Sequence, residues 1–361
     1  MLNKSQTAAI LVIILAAAAG ALFVMKRTPS ADFAYFQGNT MGTTWSVRLA
    51  GPVPDSAALA VIQNDIELLL QNINREMSIY DPESIISEVN RLEADVAMNV
   101  PETLYGVMRF SLDLANLTGG AFDPTVGPLV NLWGFGPDGA VRASPGTDQI
   151  EAARSRVGFE KLKLPESNVV LKTRADVYVD LGAVAKGFGV DAVAEMLVAR
   201  GITNCLVEIG GEVRALGMRK PGRKWRIGVQ RPNYRAPSGS GLQGVLHLAG
   251  MAAATSGDYQ NFYVTDSGQT LSHIIDPRTA APAGHSTAGV TVLAPDCMTA
   301  DGWATALYVL GPEAGLPLVE AQPGLEALFV IRENDQSFRE MASSGFAALA
   351  DYEPAGLETG K

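Results

Sequence analysis

The sequence predicts an α+β protein, a single domain built on one mixed sheet and set behind an N-terminal apolar segment. Strand-like and helix-like runs intermix along the chain without the strict alternation of a βαβ array. Apolar residues make up 47% and charged residues 18%, the balance of a chain that buries a core. No internal repeat is evident, and 361 residues suffice for one large domain. The formal net charge is −10, with no lysine- and arginine-rich run, so nucleic acid is not an expected partner. Three histidines and two cysteines argue against a zinc site. Cys205 and Cys297 permit one disulfide without demanding it.

Thr7–Met25 is apolar and uncharged, flanked by Lys4 and by Lys26–Arg27. As a helix rising about 1.5 Å per residue it reaches across roughly the ~30 Å core of a bilayer. The expectation is an export signal or membrane anchor over residues 1–27, which leaves the globular part outside the cytoplasm. Residues 28–38 read as a linker, 39–350 as the domain and 351–361 as a tail.

Within the domain, Asn39–Ala50 alternates as a strand with Trp45, Val47 and Leu49 on one face. Asp55–Arg75 is an amphipathic helix that ends before the loop Met77–Pro82. Helices follow at Ser84–Leu92 and Pro101–Leu117, the latter stopped by Gly119-Gly120. Ala121–Gly136 is too rich in glycine, proline and aromatics to read as regular structure. A short helix at Asp148–Val157 and strands near Leu162–Lys172 precede Val177–Leu197, which reads as a strand, a small-residue turn and a helix. Further strands are expected at Asn204–Gly217, Trp225–Arg231, Val245–Leu248, Met251–Thr255, Phe262–Val264 and Thr287–Leu293. Met298–Leu310 reads as a helix, with Glu326–Ile331 and Phe346–Leu349 closing the sheet.

Three stretches carry chemistry. In DLGAVAKGFGVD, a turn into a helix start offers unpaired N–H groups and the positive end of the macrodipole, with Lys186 beside them. Gly182, Gly187 and Gly189 would let backbone approach a ligand closely, and Asp180 suits a hydroxyl, an N–H or a metal. In TADGWATALYVLG, Asp301 and Thr305 share a helix face, a carboxylate and a hydroxyl suited to Mg²⁺ or Ca²⁺. In LSHIIDPRT, His273 stands at a strand edge beside a turn, where a general base would be needed; Asp276 would orient it or cap the turn. A serine hydrolase set of Ser256, His273 and Asp276 lacks the G-x-S-x-G elbow that would support it.

These stretches occur among MGTTW, MSIYDPES…SEVN, AFDPTVGPLVNLWGFG, DLGAVAKGFGVD, EIGGEVRALG, WRIGVQRP, ATSGDYQNFY, SHIIDPRT and TADGWATALYVLG. In this order they closely resemble the ApbE family of flavin transferases, over nearly everything from Met41 to about Leu349. The resemblance implies a fold related to the T-fold and an FAD:protein FMN transferase. Such an enzyme splits the FAD pyrophosphate with Mg²⁺, releases AMP and leaves FMN esterified to a threonine or serine of a target. It further implies as acceptor a flavoprotein subunit of a Na⁺-translocating NADH:quinone reductase or an Rnf-type complex, met at the periplasmic face of the inner membrane. By motif, Met41 and Tyr80 would line the FAD cleft, with Ala121, Phe122 and Asp123 continuing its wall. Asp180, Lys186 and Ile275 would contact FAD; the Ala183 carbonyl, Asp301 and Thr305 would hold the metal; His273 would be the base. Two departures stand out: the lipoprotein cysteine of many relatives is missing, and Gly182 replaces a common serine. An FAD pyrophosphatase and a non-catalytic flavin-binding protein are the alternative readings.

Overall fold

A run of alternating branched residues with no polar face is buried on both sides, and such runs form the middle of this molecule. Cys205–Ile209 sends Cys205, Val207 and Ile209 into one core and Leu206 into another. Thr287–Ala294 is buried at every position, with Val290 and Val292 on the first face and Leu293 on the second. The computed structural model describes residues 33–137, 144–232, 241–259, 262–264, 270–334 and 337–355. The expected signal or anchor at 1–27, and the start of the 28–38 linker, lie outside the described residues.

The central element is an eight-stranded sheet. Its strands are β1 (Phe33–Thr40), β2 (Thr43–Ala50), β3 (Cys205–Ile209), β4 (Glu212–Leu216), β5 (Met251–Gly257), β6 (Thr287–Ala294), β7 (Glu326–Arg332) and β8 (Phe338–Ala342). They lie side by side in chain order, and every neighbouring pair is antiparallel. The expected mixed sheet is therefore corrected to an antiparallel one, while the α+β class holds. Three long helices, α1 (Ser56–Met77), α2 (Ala185–Ala199) and α3 (Cys297–Glu320), contribute to the larger core on one face. The other face carries Trp225–Gln230, Leu242–Leu248 and the helix Phe346–Ala350. Helix α3 breaks at Gly311, whose φ of 72° leaves the helical region just before Pro312, so its regular first part ends where expected.

Four expectations are corrected. The linker ends early, because Phe33–Thr40 pairs along its whole length with β2. Burial alternates along this edge strand, with Phe36 and Thr40 turned inward, but its exposed positions hold the aromatic Phe33 and Tyr35 and its inward ones Ala34 and Gly38, so the hydropathy pattern does not show the alternation. The tail begins late, because Glu353–Pro354 pairs with Val245 and Gly244. Phe346–Leu349 belongs to a helix, and Phe338–Ala342 forms the sheet edge instead; a short alanine-rich apolar run has no period to choose between the two. Gly127–Leu132, inside the stretch read as irregular, is a helix with Pro128 in its first turn, anchored by buried Leu129.

Candidate active site

The cleft is assembled where α2 and α3 touch. A Cβ on Gly187 would lie 2.4 Å from the Cys297 carbonyl oxygen and 2.8 Å from the Asp301 Cβ. This glycine, expected to admit a ligand, instead admits a neighbouring helix, and its N–H donates to Asp301 Oδ2 at 2.9 Å. Gly189 likewise faces Ile209, Met41 and Leu70. Asp191, one turn on, accepts from the N–H groups of Cys297 at 2.9 Å and Met298 at 2.8 Å, capping α3 from outside that helix. Arg214 of β4 pairs with Asp191 at 2.9 Å. Burial pushes the Asp191 carboxyl up to about 6, against these two amides and the guanidinium.

The packing sets three charges together. Lys186 Nζ lies 2.9 Å from Glu212 Oε1 and 3.6 Å from Asp301 Oδ1. Burial pushes both carboxyls above their ordinary range, Glu212 to about 7, with Lys186 opposing the shift in each. Burial would lower the Lys186 ammonium, but Asp301 and Glu212 outweigh it and hold it above its usual range. One turn beyond Asp301, Thr305 Oγ1 is 3.3 Å from Ser256 Oγ on β5. Ala183 occupies the turn that opens α2.

The opposite wall is made of loops held by side chains. Val177–Asp180, read as a strand, pairs with no strand among the described residues. Asn90 does a neighbouring strand's work, accepting from Val179 N–H at 2.7 Å and donating to the Val179 carbonyl at 2.9 Å. Buried Lys172 donates to the carbonyls of Asn90, Ala175 and Val177. The Asp180 N–H bonds the Pro124 carbonyl at 2.7 Å, joining this segment to the wall at Ala121, Phe122 and Asp123. Asp180 itself is lifted above the usual carboxylate range by its enclosure, with the Gly182 N–H opposing. Asp123 spends one oxygen inside its loop, accepting from Thr125 N–H and Oγ1, and the other on the distant Phe159 N–H, so it shapes the wall. Tyr80 stands exposed at the rim, on a loop tied by Ser84 and Ser87 to the Ser78 and Asp81 carbonyls.

His273 enters from a third side. A small core of Leu129, Trp133, Leu271 and Ile275 joins the Gly127–Leu132 helix to the segment around it, with Trp133 Nε1 donating to the Ala280 carbonyl at 3.0 Å. The Phe135 ring meets the His273 ring edge-on at 6.3 Å. Asp276 caps its turn rather than orienting the histidine: its two oxygens accept from the Arg278 backbone N–H and guanidinium, each at 2.9 Å. Ser256 bonds Thr305 instead, so the three residues of the hydrolase reading form no relay.

The result is one cavity of about 710 Å³. Its lining includes His273, Met41, Tyr80, Ala121, Phe122, Asp123, Asp180, Lys186, Ile275, Ala183, Asp301 and Thr305, every residue to which the family resemblance gave a role, but not Gly187, Gly189 or Asp276. Glu212 and Ser256 also line it, and sequence reading gave Glu212 no role. Its signal was an acid directly after Gly210 and Gly211, whose φ values of 62° and 108° turn the β3–β4 hairpin. Cys205 and Cys297 are both buried and unpaired, and burial pushes the Cys205 thiol up to about 12.

Known proteins resemble this chain over most of its length. The family model of ApbE matches residues 41–329. The chain is 39% identical over 332 residues to the FAD:protein FMN transferase of Vibrio cholerae, covering 92% of this chain and 97% of that protein. Identity to the protein of the same name from Escherichia coli K12 is 34% over 326 residues, covering 90% and 91%. Among solved structures, the flavin transferase ApbE from Vibrio cholerae superposes with a TM-score of 0.79 at 39% identity, covering 88% of this chain and 99% of that one. The apo form of Pseudomonas stutzeri flavinyl transferase ApbE gives 0.78 at 35% identity, covering 90% and 98%. Sequence and fold thus agree along most of the length, and the chain belongs to the ApbE family.

Proposed function

We infer that the chain works through this cleft as an FAD:protein FMN transferase, moving FMN from FAD to target proteins. The relatives that match it nearly end to end bear that name. The observation that carries the reading is the convergence of Asp180, Lys186, Asp301, Thr305 and His273, from separate parts of the chain, on one cavity large enough for a dinucleotide.

The chemistry of the donor set fits a hard divalent cation such as Mg²⁺: Asp301, Thr305 and Ala183, which can offer a carboxylate, a hydroxyl and a backbone carbonyl, all line the cavity. Among the described residues no group of three or more His, Cys, Asp or Glu could hold a metal. That suits Mg²⁺, which is commonly held by one or two carboxylates together with substrate phosphates. When bound, the cation would withdraw charge from the diphosphate and its leaving oxygen. Lys186 and the N–H groups that open α2 add positive potential on the same side. His273 takes the proton of an acceptor threonine or serine hydroxyl as its oxygen bonds to the FMN-side phosphorus. The bond from that phosphorus to the bridging oxygen breaks, and AMP leaves with the electron pair.

Thr7–Met25 supports membrane attachment with the domain in the periplasm, and acceptors that carry flavin there, as in Na⁺-translocating NADH:quinone reductase or Rnf-type complexes. In the test, the full chain in detergent is mixed with FAD, Mg²⁺ and a threonine-bearing acceptor domain from such a complex. In-gel flavin fluorescence on the acceptor with equimolar AMP, both abolished by EDTA, is the expected result. AMP with free FMN and a dark acceptor would identify a pyrophosphatase; no AMP with FAD retained would identify a binding protein.

A further inference from the structure

A lysine next to a cation site is a problem the structure has to solve. Two positive groups compete for the same carboxylate, and around a side chain as enclosed as that of Asp301, only 4% exposed, water screens them little. Asp301 has two oxygens, and Oδ2 already accepts the Gly187 N–H. Were Lys186 to close fully on Oδ1, neither oxygen would remain for a cation. It does not close: the Lys186–Asp301 separation is 3.6 Å, longer than a charge-assisted hydrogen bond. The ammonium instead sits 2.9 Å from Glu212 Oε1.

Glu212 is built for that task. Its side chain is only 4% exposed, as is that of Asp301. Among the described residues its second oxygen, Oε2, is buried with no hydrogen-bond partner, which leaves the Lys186 ammonium as the one charged group paired with this carboxylate there. The glycine pair before it brings it up from the hairpin tip; a Cβ on Gly210 would lie 3.2 Å from the Lys186 Cδ and 3.4 Å from Glu212 Oε2.

We propose that Glu212 is a positioning residue of the cation site, which draws the Lys186 ammonium off Asp301 and so leaves that carboxylate open to a divalent metal. The proposal rests on the reading of Asp301 as a cation ligand. Removing the Glu212 charge lets Lys186 fall onto Asp301, and removing Lys186 as well frees Asp301 again. A residue that merely supported the fold would give no such rescue.

The experiment is a Mn²⁺ titration of the full chain with FAD bound, following the free-ion electron paramagnetic resonance signal. Glu212→Gln, nearly identical in shape, is expected to weaken Mn²⁺ binding by about ten-fold or more, the size seen when partners of metal ligands are removed. Adding Lys186→Met to Glu212→Gln is expected to restore affinity to within about three-fold of wild type. Mn²⁺ binding by Glu212→Gln within about two-fold of wild type, or a double variant no tighter than Glu212→Gln, would overturn the proposal. In Asp301→Ala, binding should disappear; wild-type affinity there would overturn the cation reading and this proposal with it. Loss in Asp301→Ala beside an unaffected Glu212→Gln would remove only the role of Glu212.

Discussion

The two walls of the cleft are held by different physics. On one side Lys186, Asp301 and Thr305 ride on α2 and α3, long buried helices locked by a glycine contact and by Asp191 capping across them. On the other side Tyr80, Ala121–Asp123 and Asp180 sit on irregular chain, whose backbone groups are satisfied by Asn90, Lys172, Asp123 and Ser84. The helical wall derives its precision from packing, where displacement costs many contacts at once. The loop wall derives it from a few hydrogen bonds, each of which can be lost singly. Charges that must keep a fixed spacing lie on the first, and surfaces that can adjust to a ligand lie on the second.

Substitutions at the two walls should therefore fail in different ways. The largest effect is expected on the helical wall at Asp301→Ala, where flavin transfer falls about 10³-fold or more, far beyond the roughly 1–3 kcal/mol of stability that the stranded Gly187 N–H can cost. Rates near wild type in a fluorescence assay would detach Asp301 from the chemistry. Next is Gly187→Ala, whose Cβ meets the Cys297 carbonyl at 2.4 Å. Forcing α2 from α3 should cost about 1–3 kcal/mol in chemical denaturation and lower kcat; an unchanged midpoint would mean that the helices shift freely, against the contrast drawn here. Asn90→Ala tests the loop wall. It strands the Val179 N–H and carbonyl, at about 1–3 kcal/mol, and should raise KM for FAD more than it lowers kcat. Equal effects on both parameters would argue that the loop wall fixes the reacting groups as firmly as the helices do.

The smallest effect concerns pH. Asp191 has a folded pKa of about 6, above the ordinary aspartate value, so the folded state binds a proton more readily than the unfolded chain. Its contribution to stability is complete below the unfolded pKa and is lost as pH rises through about 6. Asp191→Asn cannot titrate, so the stability of wild type minus that of the variant should decline between about pH 4 and pH 7. Parallel denaturation midpoints across that range would indicate that the two amides and Arg214 cancel the cost of burial.

Sequence reading succeeded where a residue's role depends on its near neighbours along the chain. The amphipathic helix at Asp55–Arg75 appears as α1 with Asp55 as its cap, because side chains a turn apart decide both features. The fourfold spacing of Asp301 and Thr305 put them on one face and in one cavity for the same reason. The Phe346–Ala350 helix is too short to show a period, and the edge strand Phe33–Thr40 hides its own because exposed positions carry Phe33 and Tyr35 while inward ones carry Ala34 and Gly38. Gly187 and Glu212 were missed as structural determinants because their partners lie far along the chain: Gly187 works against Cys297 and Asp301, and Glu212 against Lys186.

By itself, then, the sequence determined the α+β class, most of the elements, the family and many of the residues that line the cleft, though not Glu212. These follow from local periodicity, capping and short ordered motifs, which are properties of neighbouring residues. Only the tertiary structure decided that every sheet pairing is antiparallel, that a glycine serves helix packing rather than a ligand, and that Lys186 is shared unequally between Glu212 and Asp301. Those depend on ångström distances between segments far apart in the chain, and no spacing along a sequence encodes them.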